Sequence, residues 1–224
     1  MRAVLAELRA HVGLRDGREA FLVVGTLLLV VVWLYGGSAA AFVRIAGEGR
    51  SEWWRWIYYH CNALLLLAIV PLLVMWRAFR VRPAALGVRL GDVGWGVRAT
   101  LLGIALLTPV VYLSSFDPAF QREYPLTKLA GANLGSWLRW EAVYLIYYVA
   151  WEVYFRGVLL FGLRDRFGVA GAMAFQTAIS TLVHIGKPFG EIAGAVPGGI
   201  LLGAMALRSS WSRGVGDLRV AQGA

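Results

Sequence analysis

The segment "YYVAWEVYFRG", residues Tyr147 to Gly157, places a carboxylate and a guanidinium inside an otherwise apolar stretch. The two ions, Glu152 and Arg156, lie four positions apart, so on an α-helix they project from one face and can pair. A charged side chain in a membrane span is costly and usually faces the bundle interior or a wet cavity. The spacing fits both a self-neutralising structural pair and a functional site.

The sequence around this segment has the composition of a membrane protein. Of its 224 residues, 59% are hydrophobic and only 16% are charged, with a mean hydropathy of +0.64. Six nearly uncharged stretches are long enough for membrane-spanning helices of roughly 17 to 25 residues. They are Ala20–Val43, Trp56–Trp76, Ala99–Phe116, Ala142–Leu163, Phe167–Gly186 and Ile192–Leu207. We therefore predict an all-α, polytopic transmembrane helical bundle of about six spans.

The rest of the sequence is short and predicts no separate soluble domain. We expect an amino-terminal cytoplasmic or interfacial segment over residues 1–19, one membrane domain over 20–208 and a polar, frayed tail over 209–224. In the first segment, Val4, Leu5 and Leu8 have helical spacing, which indicates an amphipathic helix on the membrane surface. The first apolar run exceeds a typical signal-peptide core and predicts an uncleaved anchor.

The net charge of +9 is explained by membrane orientation rather than by nucleic-acid binding. With a cytoplasmic amino terminus, lysines and arginines in the inside segments outnumber those in the outside loops by about two to one, as the positive-inside rule requires. The lipid bilayer is thus the expected partner, and no nucleic acid is expected. We predict an integral protein of a bacterial plasma (inner) membrane with its amino terminus in the cytoplasm.

A histidine in the next predicted span is a candidate partner for the acid. The turn "RDRFG" separates the fourth and fifth spans. Glu152 lies roughly 18 Å from that turn and His184 roughly 24 Å from it, at 1.5 Å per residue. In an antiparallel helix pair the two side chains would differ in depth by about one turn. A carboxylate and an imidazole so placed can hold a water, with the imidazole as hydrogen-bond partner or metal ligand, although a packed structural histidine also fits.

Two segments resemble a known family. The segments "WEVYFRGVLLFGL", from Trp151, and "TLVHIGKPFGE", from Thr181, are similar to motifs of the CPBP intramembrane proteases, the CAAX protease and bacteriocin-processing family. That family carries E-E-x-x-x-R, commonly ending F-R-G, on one helix and F-x-x-x-H on the next. A third motif, H-x-x-x-N or a relative, follows on a later helix.

The resemblance implies a catalytic site for peptide-bond hydrolysis in a membrane-proximal peptide or protein. Glu152 matches the second glutamate of the first motif, Arg156 its arginine and His184 the histidine of the second motif. By this resemblance Glu152 and His184 activate a water, and Arg156 orients the glutamate. No prosthetic group is implied with certainty. A divalent metal such as zinc is an alternative, although one histidine and one glutamate fall short of the three protein ligands usual for catalytic zinc.

The sequence departs from the family pattern at three points. Trp151 occupies the position of the first glutamate, Ser180 stands where phenylalanine is expected, and no histidine follows His184. The polar sequence after Ser209 suggests the hypothesis that the chain is truncated or that its reading frame is shifted. These departures keep open a catalytically impaired scaffold or immunity-type protein. A small transporter using Glu152 as a cation or proton site is a further alternative, although the sequence has no repeated half.

Other polar residues in the spans have structural interpretations. Cys61, the only cysteine, is interpreted as a small core residue, and His60 beside it as part of a polar cluster near the interface. Lys187 and Glu191 are four residues apart and are predicted to pair or cap at a helix start.

Overall fold

A computed structural model of the protein describes the backbone of residues 16–221 and the side chains of residues 16–209. The amphipathic helix predicted over the first residues lies outside this part. The described chain is helical and contains no strand. Its long helices are α1 (Gly17–Gly36), α3 (Glu52–Arg77), α4 (Val93–Ser114), α6 (Leu134–Glu152), α7 (Gly162–Val183) and α8 (Phe189–Ala221). The short helices are α2 (Ala39–Ala46) and α5 (Pro118–Glu123), with 3₁₀ turns at Pro83–Leu86 and Lys128–Gly131.

Five helical stretches within the described residues are long and apolar enough to cross a membrane. The longest, Leu134–Val183, has 50 residues and would extend about 75 Å if straight, more than twice the thickness of the hydrocarbon core. It is broken at Gly168, where φ is 69° and ψ is 169°. The stretch therefore consists of two helical arms, which confirms a helical membrane bundle of about six spans.

The first predicted span, Ala20–Val43, is wrong at its carboxyl end. Helix α1 stops at Gly36, and α2 begins after Ser38, whose hydroxyl accepts a hydrogen bond from the Ala41 amide at 3.1 Å. A Cβ on Gly37 would come within 2.9 Å of Asn62 Cβ, so the missing side chain permits a close approach to α3. Capping by a hydroxyl and the close glycine contact outweigh the continuous hydropathy of the segment.

The predicted frayed tail also differs from the structure. Helix α8 continues to Ala221, well past the last apolar residues of the span. The residues from Arg208 to Ala221 contain no proline, and the helix extends beyond the apolar segment despite Gly214 and Gly216. Hydropathy thus locates the span but not the end of its helix.

The chain divides into two compact units. Unit 1 comprises the chain up to Pro83 together with Ala142–Tyr154, and unit 2 comprises Ala84–Glu141 and the chain from Phe155 onward. The chain passes from unit 1 to unit 2 inside a π-helical segment, Val153–Phe161, that directly follows α6. Such wide turns are rare, and they are frequent at functional sites.

Unit 1 is organised around a buried tryptophan. Trp33 is 1% exposed, and its ring lies 5.3 Å from that of Tyr59 and 6.5 Å from that of Trp151. In the same unit, the fully buried Tyr154 donates a hydrogen bond of 2.6 Å to the carbonyl of Thr26. Aromatic pairs at these separations stabilise a core beyond the area they bury. The aromatic residues therefore hold α1, α3 and the end of α6 in one unit.

Unit 2 joins α7 and α8 through glycines. A Cβ on Gly199 would lie 3.0 Å from Thr177, and one on Gly203 would lie 2.5 Å from the Met173 sulfur. Between them, Gln176 is fully buried and donates from Nε2 to the Gly199 carbonyl at 2.9 Å. Small residues four apart allow this close helix contact, and the amide adds an interhelical hydrogen bond.

We expect Gly168→Ala to destabilise the protein by about 1–3 kcal/mol, because any residue with a Cβ is strained at this φ and ψ. No neighbouring atom lies within 4 Å of the added methyl, so the loss would come from the backbone alone. Thermal unfolding in detergent measures it. The matched control is Gly103→Ala in α4, which also has open space and a helical backbone. Equal stability of the two variants would contradict the break at Gly168.

Candidate active site

The predicted acid and base flank the start of the π-helical segment. Glu152 is the last residue of α6 and is exposed, whereas Arg156 lies within the segment and is 5% exposed. Glu152 belongs to unit 1 and Arg156 to unit 2. The α-helical spacing that predicts their pairing ends at Val153, where the backbone hydrogen bonds change to the i→i+5 pattern. Their catalytic roles remain predictions.

Trp151, at the position of the family's first glutamate, is a core residue. Its side chain is 8% exposed, and its ring lies 5.6 Å from that of Tyr147 in addition to its contact with Trp33. Its exposed neighbour Glu152 therefore has a different environment, as expected for adjacent residues about 100° apart around a helix. An acid at position 151 would be buried among aromatic rings, so this position contributes packing rather than charge.

His184 ends helix α7 with its ring fixed by the helix itself. Its Nδ1 lies 2.6 Å from the carbonyl oxygen of Ser180, one turn earlier. Since a carbonyl can only accept a hydrogen bond, Nδ1 must carry the proton, and the neutral ring then has its lone pair on Nε2. The side chain is 25% exposed. This is the orientation that a hydrogen-bond acceptor or a metal ligand requires.

Nε2 of His184 faces the carboxylate of Glu191, a residue that the sequence predicts to pair with Lys187 or to cap a helix. Glu191, in the first turn of α8, has its Oε1 3.9 Å from Nε2. Its other oxygen, Oε2, accepts a hydrogen bond of 2.7 Å from the hydroxyl of Tyr124. All three residues belong to unit 2. The structure thus brings His184 together with Glu191 in the same unit.

The predicted pairing of Lys187 with Glu191 is wrong. Lys187 pairs with Glu123 at the end of α5, and its ammonium lies 5.4 Å from the centre of the Tyr124 ring. The i,i+4 rule applies within a helix, whereas residues 184–188 form the turn between α7 and α8, with Gly186 at a φ of 96°. The turn directs the two side chains to different partners.

The loop before α6 is ordered over this turn. It contains α5 and the 3₁₀ turn Lys128–Gly131, and it contributes Glu123 and Tyr124 to the contacts just described. Phe120 of α5 also lies against Gly190, where an added Cβ would be 3.3 Å from the ring. The residues in each contact are more than 60 positions apart in the chain, and together the contacts position the first turn of helix α8.

The structure revises the interpretation of His60 and Cys61. His60 is completely buried, with Nδ1 2.6 Å from the Trp56 carbonyl and its ring within 6 Å of the rings of Tyr59, Tyr144 and Tyr147. It belongs to an aromatic core rather than to a polar cluster near the interface. Cys61 is exposed, so its interpretation as a core residue is wrong. The two residues are adjacent on α3 and point in different directions.

The described residues do not fit a catalytic zinc site. Zinc in hydrolytic enzymes is bound by three protein ligands. Among the residues whose side chains are described, no group of three or more His, Cys, Asp or Glu is placed to hold a metal ion. The pair of His184 and Glu191 supplies two ligands at most.

The long apolar helices describe an integral membrane protein, and its described part includes a histidine fixed at the end of α7. A family model described as type II CAAX prenyl endopeptidase Rce1-like matches residues 133–213, about a third of the chain. The match includes Glu152, Arg156, His184 and Glu191, and it confirms the resemblance found in the motifs. Over these residues the chain is similar to the CAAX-protease (CPBP) family. No curated protein and no solved structure gives a significant match.

We expect Trp151→Glu, which restores the acid of the family motif, to lower the folded yield and the thermal stability. Replacing a buried tryptophan by a smaller residue costs about 3–5 kcal/mol, and burying a carboxylate adds to this cost. Trp151→Phe keeps an aromatic ring against Trp33 and serves as the control. Thermal unfolding in detergent measures both variants. If Trp151→Glu were as stable as Trp151→Phe, position 151 would not be part of the core.

Proposed function

We propose that the protein is an intramembrane endopeptidase that hydrolyses a peptide bond of a membrane-proximal peptide or protein. The observation that carries this proposal is the state of His184: its Nδ1 is held by the Ser180 carbonyl, so its Nε2 is directed as an acceptor towards a carboxylate. The family match over residues 133–213 supports the same reaction class.

The reaction uses water as its nucleophile. Its oxygen adds to the carbonyl carbon of the peptide bond while one of its protons passes to a carboxylate. When the C–N bond breaks, that proton goes to the leaving nitrogen. General base catalysis of this kind accelerates a reaction by typically 10²–10⁴-fold. By resemblance to the family, Glu152 and His184 are required for this step, and Arg156 orients Glu152.

The proposed setting is the plasma membrane of a bacterium, with the amino terminus in the cytoplasm. The distribution of lysine and arginine supports this orientation, since positive charge is retained on the cytoplasmic side. The proposed partners are the lipid bilayer and a peptide or membrane-protein substrate. Part of the substrate must reach His184 at the end of α7.

A second candidate function is a catalytically silent relative that acts as a scaffold or immunity-type protein. The burial of Trp151 favours it, since the position of the family's first acid supplies packing instead of charge. The two candidates differ in one measurable property, cleavage by the purified wild-type protein.

We expect the wild-type protein in detergent to cleave members of a panel of membrane-proximal and prenylated peptides. We expect Glu152→Gln and His184→Gln each to lower kcat/KM by about 10²–10⁴-fold, the usual contribution of an acid–base group. The matched control is Glu141→Gln, which changes another exposed glutamate of the same helix and should leave kcat/KM unchanged.

Mass spectrometry of the cleaved peptides gives both the rate and the bond cleaved. Activity that survives both Glu152→Gln and His184→Gln would overturn the proposed site. A folded wild-type protein that cleaves no peptide of the panel would favour the silent relative.

A further inference from the structure

We propose that the carboxyl end of α3 carries a binding site for the headgroup of an anionic phospholipid. Four residues of unit 1, Trp76, Arg77, Arg80 and Arg82, line a pocket of about 460 Å³ there. Pockets that bind small ligands have volumes of roughly 300–1,000 Å³. The ligand of this pocket is not a peptide substrate, so the inference goes beyond the proposed function and does not depend on it.

The three arginines of the pocket lie where a membrane-spanning helix ends. Arg77 is the last residue of the apolar stretch Glu52–Arg77, and its guanidinium carbon lies 4.4 Å from the centre of the Trp76 ring. Indole rings are enriched at the level of the lipid headgroups. A planar guanidinium binds phosphate oxygens through two parallel hydrogen bonds. The residue types and their position in the span therefore suit the phosphate of a lipid.

The charge of this pocket is not balanced within the described part of the chain. The ion pairs between described residues involve other side chains, and no described carboxylate pairs with Arg77, Arg80 or Arg82. All three arginine side chains are exposed. Since like charges around one pocket repel one another, an anionic ligand would offset this repulsion.

The backbone at Arg80 has a conformation that favours glycine. Its φ is 59°, in the left-handed region, and the turn is closed by a hydrogen bond of 2.9 Å from the Val81 amide to the Met75 carbonyl. Glycine is the usual residue in this conformation at a helix end, because a Cβ is strained there. Strained residues of this kind cluster at ligand sites. A role for the charge of Arg80 accounts for an arginine where glycine would be less strained.

The positive-inside rule explains the sign of the charge in this segment but not its geometry. That rule depends on the number of lysines and arginines near the end of a span, which sets the orientation of the chain. It requires neither that three arginines line one pocket nor that Arg80 has a positive φ. These two features distinguish a binding site from an orientation signal.

An apolar strip on α3 leads to the pocket and favours a lipid over free phosphate. Ile69, Leu73 and Trp76 recur at helical spacing and are 42%, 46% and 44% exposed. Residues three and four apart lie on the same face of a helix. An acyl chain can therefore lie along Ile69 and Leu73 while its phosphate reaches the arginines. Inorganic phosphate would use only the charged part of this surface.

The binding test compares two variants of the full chain that lose the same charge at different places. The pocket variant carries Arg77→Gln, Arg80→Gln and Arg82→Gln. The matched control removes three exposed arginines elsewhere by Arg50→Gln, Arg98→Gln and Arg122→Gln. Phosphatidylglycerol is titrated into each protein in a neutral detergent, and native mass spectrometry gives the Kd of the retained lipid. We expect the pocket variant to raise this Kd by about 10²-fold, because three favourable interactions with the headgroup are lost.

The control variant should keep the Kd of the wild type, and a wild-type Kd in the pocket variant would overturn the site. Phosphatidylcholine with the same acyl chains should bind the wild type about tenfold more weakly, because its headgroup has no net charge. Equal binding of the two lipids would contradict selection of an anion. Displacement of phosphatidylglycerol by an equal concentration of inorganic phosphate would assign the pocket to a soluble anion instead of a lipid.

A second measurement separates lipid binding from folding. Arg80→Gly removes the charge together with the backbone strain, so we expect it to be at least as stable as the wild type in neutral detergent. Phosphatidylglycerol should raise the Tm of the wild type, since a ligand that binds the folded state stabilises it. The rise should be smaller in Arg80→Gly and largely retained in Arg80→Lys, which keeps the charge. An equal rise in wild type and Arg80→Gly, or no rise in the wild type, would contradict the proposal.

Discussion

The break in the helix at Gly168 is the constraint on which the candidate site depends. A 50-residue helical stretch cannot cross a bilayer once as a single straight helix, and the backbone breaks where φ is 69° and ψ is 169°. Only glycine adopts this combination readily. The arm that follows ends with His184 as its carboxyl-terminal cap.

The close contact of α7 and α8 then sets what His184 meets. Glycines at 199 and 203 let the two helices approach, and Gln176 fixes their register through the Gly199 carbonyl. Because the turn between α7 and α8 is short, the side chain at the end of α7 lies next to the first turn of α8. His184 therefore faces Glu191, although the two residues belong to different helices.

Much of this architecture could be predicted from the sequence because hydrophobicity over 20 residues is a strong signal in a membrane. The turn "RDRFG" and the motif residues could also be predicted, because each is recognised from a short, continuous stretch of sequence. The contacts of Glu191 and Lys187 were not, since their partners Tyr124 and Glu123 come from a loop more than 60 residues earlier. The break at Gly37 was concealed by apolar residues on both sides, and the burial of His60 depends on tyrosines from α6.

We expect the break at Gly168 to turn the chain back across the membrane, and sided cysteine labelling in membrane vesicles tests this most directly. In a Cys61→Ser background, single cysteines replace the exposed residues Ala132, Asp165 and Ile185. Ala132 precedes the first arm, Asp165 lies near the break between the two arms, and Ile185 follows the second arm. If the chain turns back near Gly168, an impermeant maleimide labels positions 132 and 185 from one side and position 165 from the other. Labelling of positions 132 and 185 from opposite sides would contradict the reversal and, with it, the placement of His184.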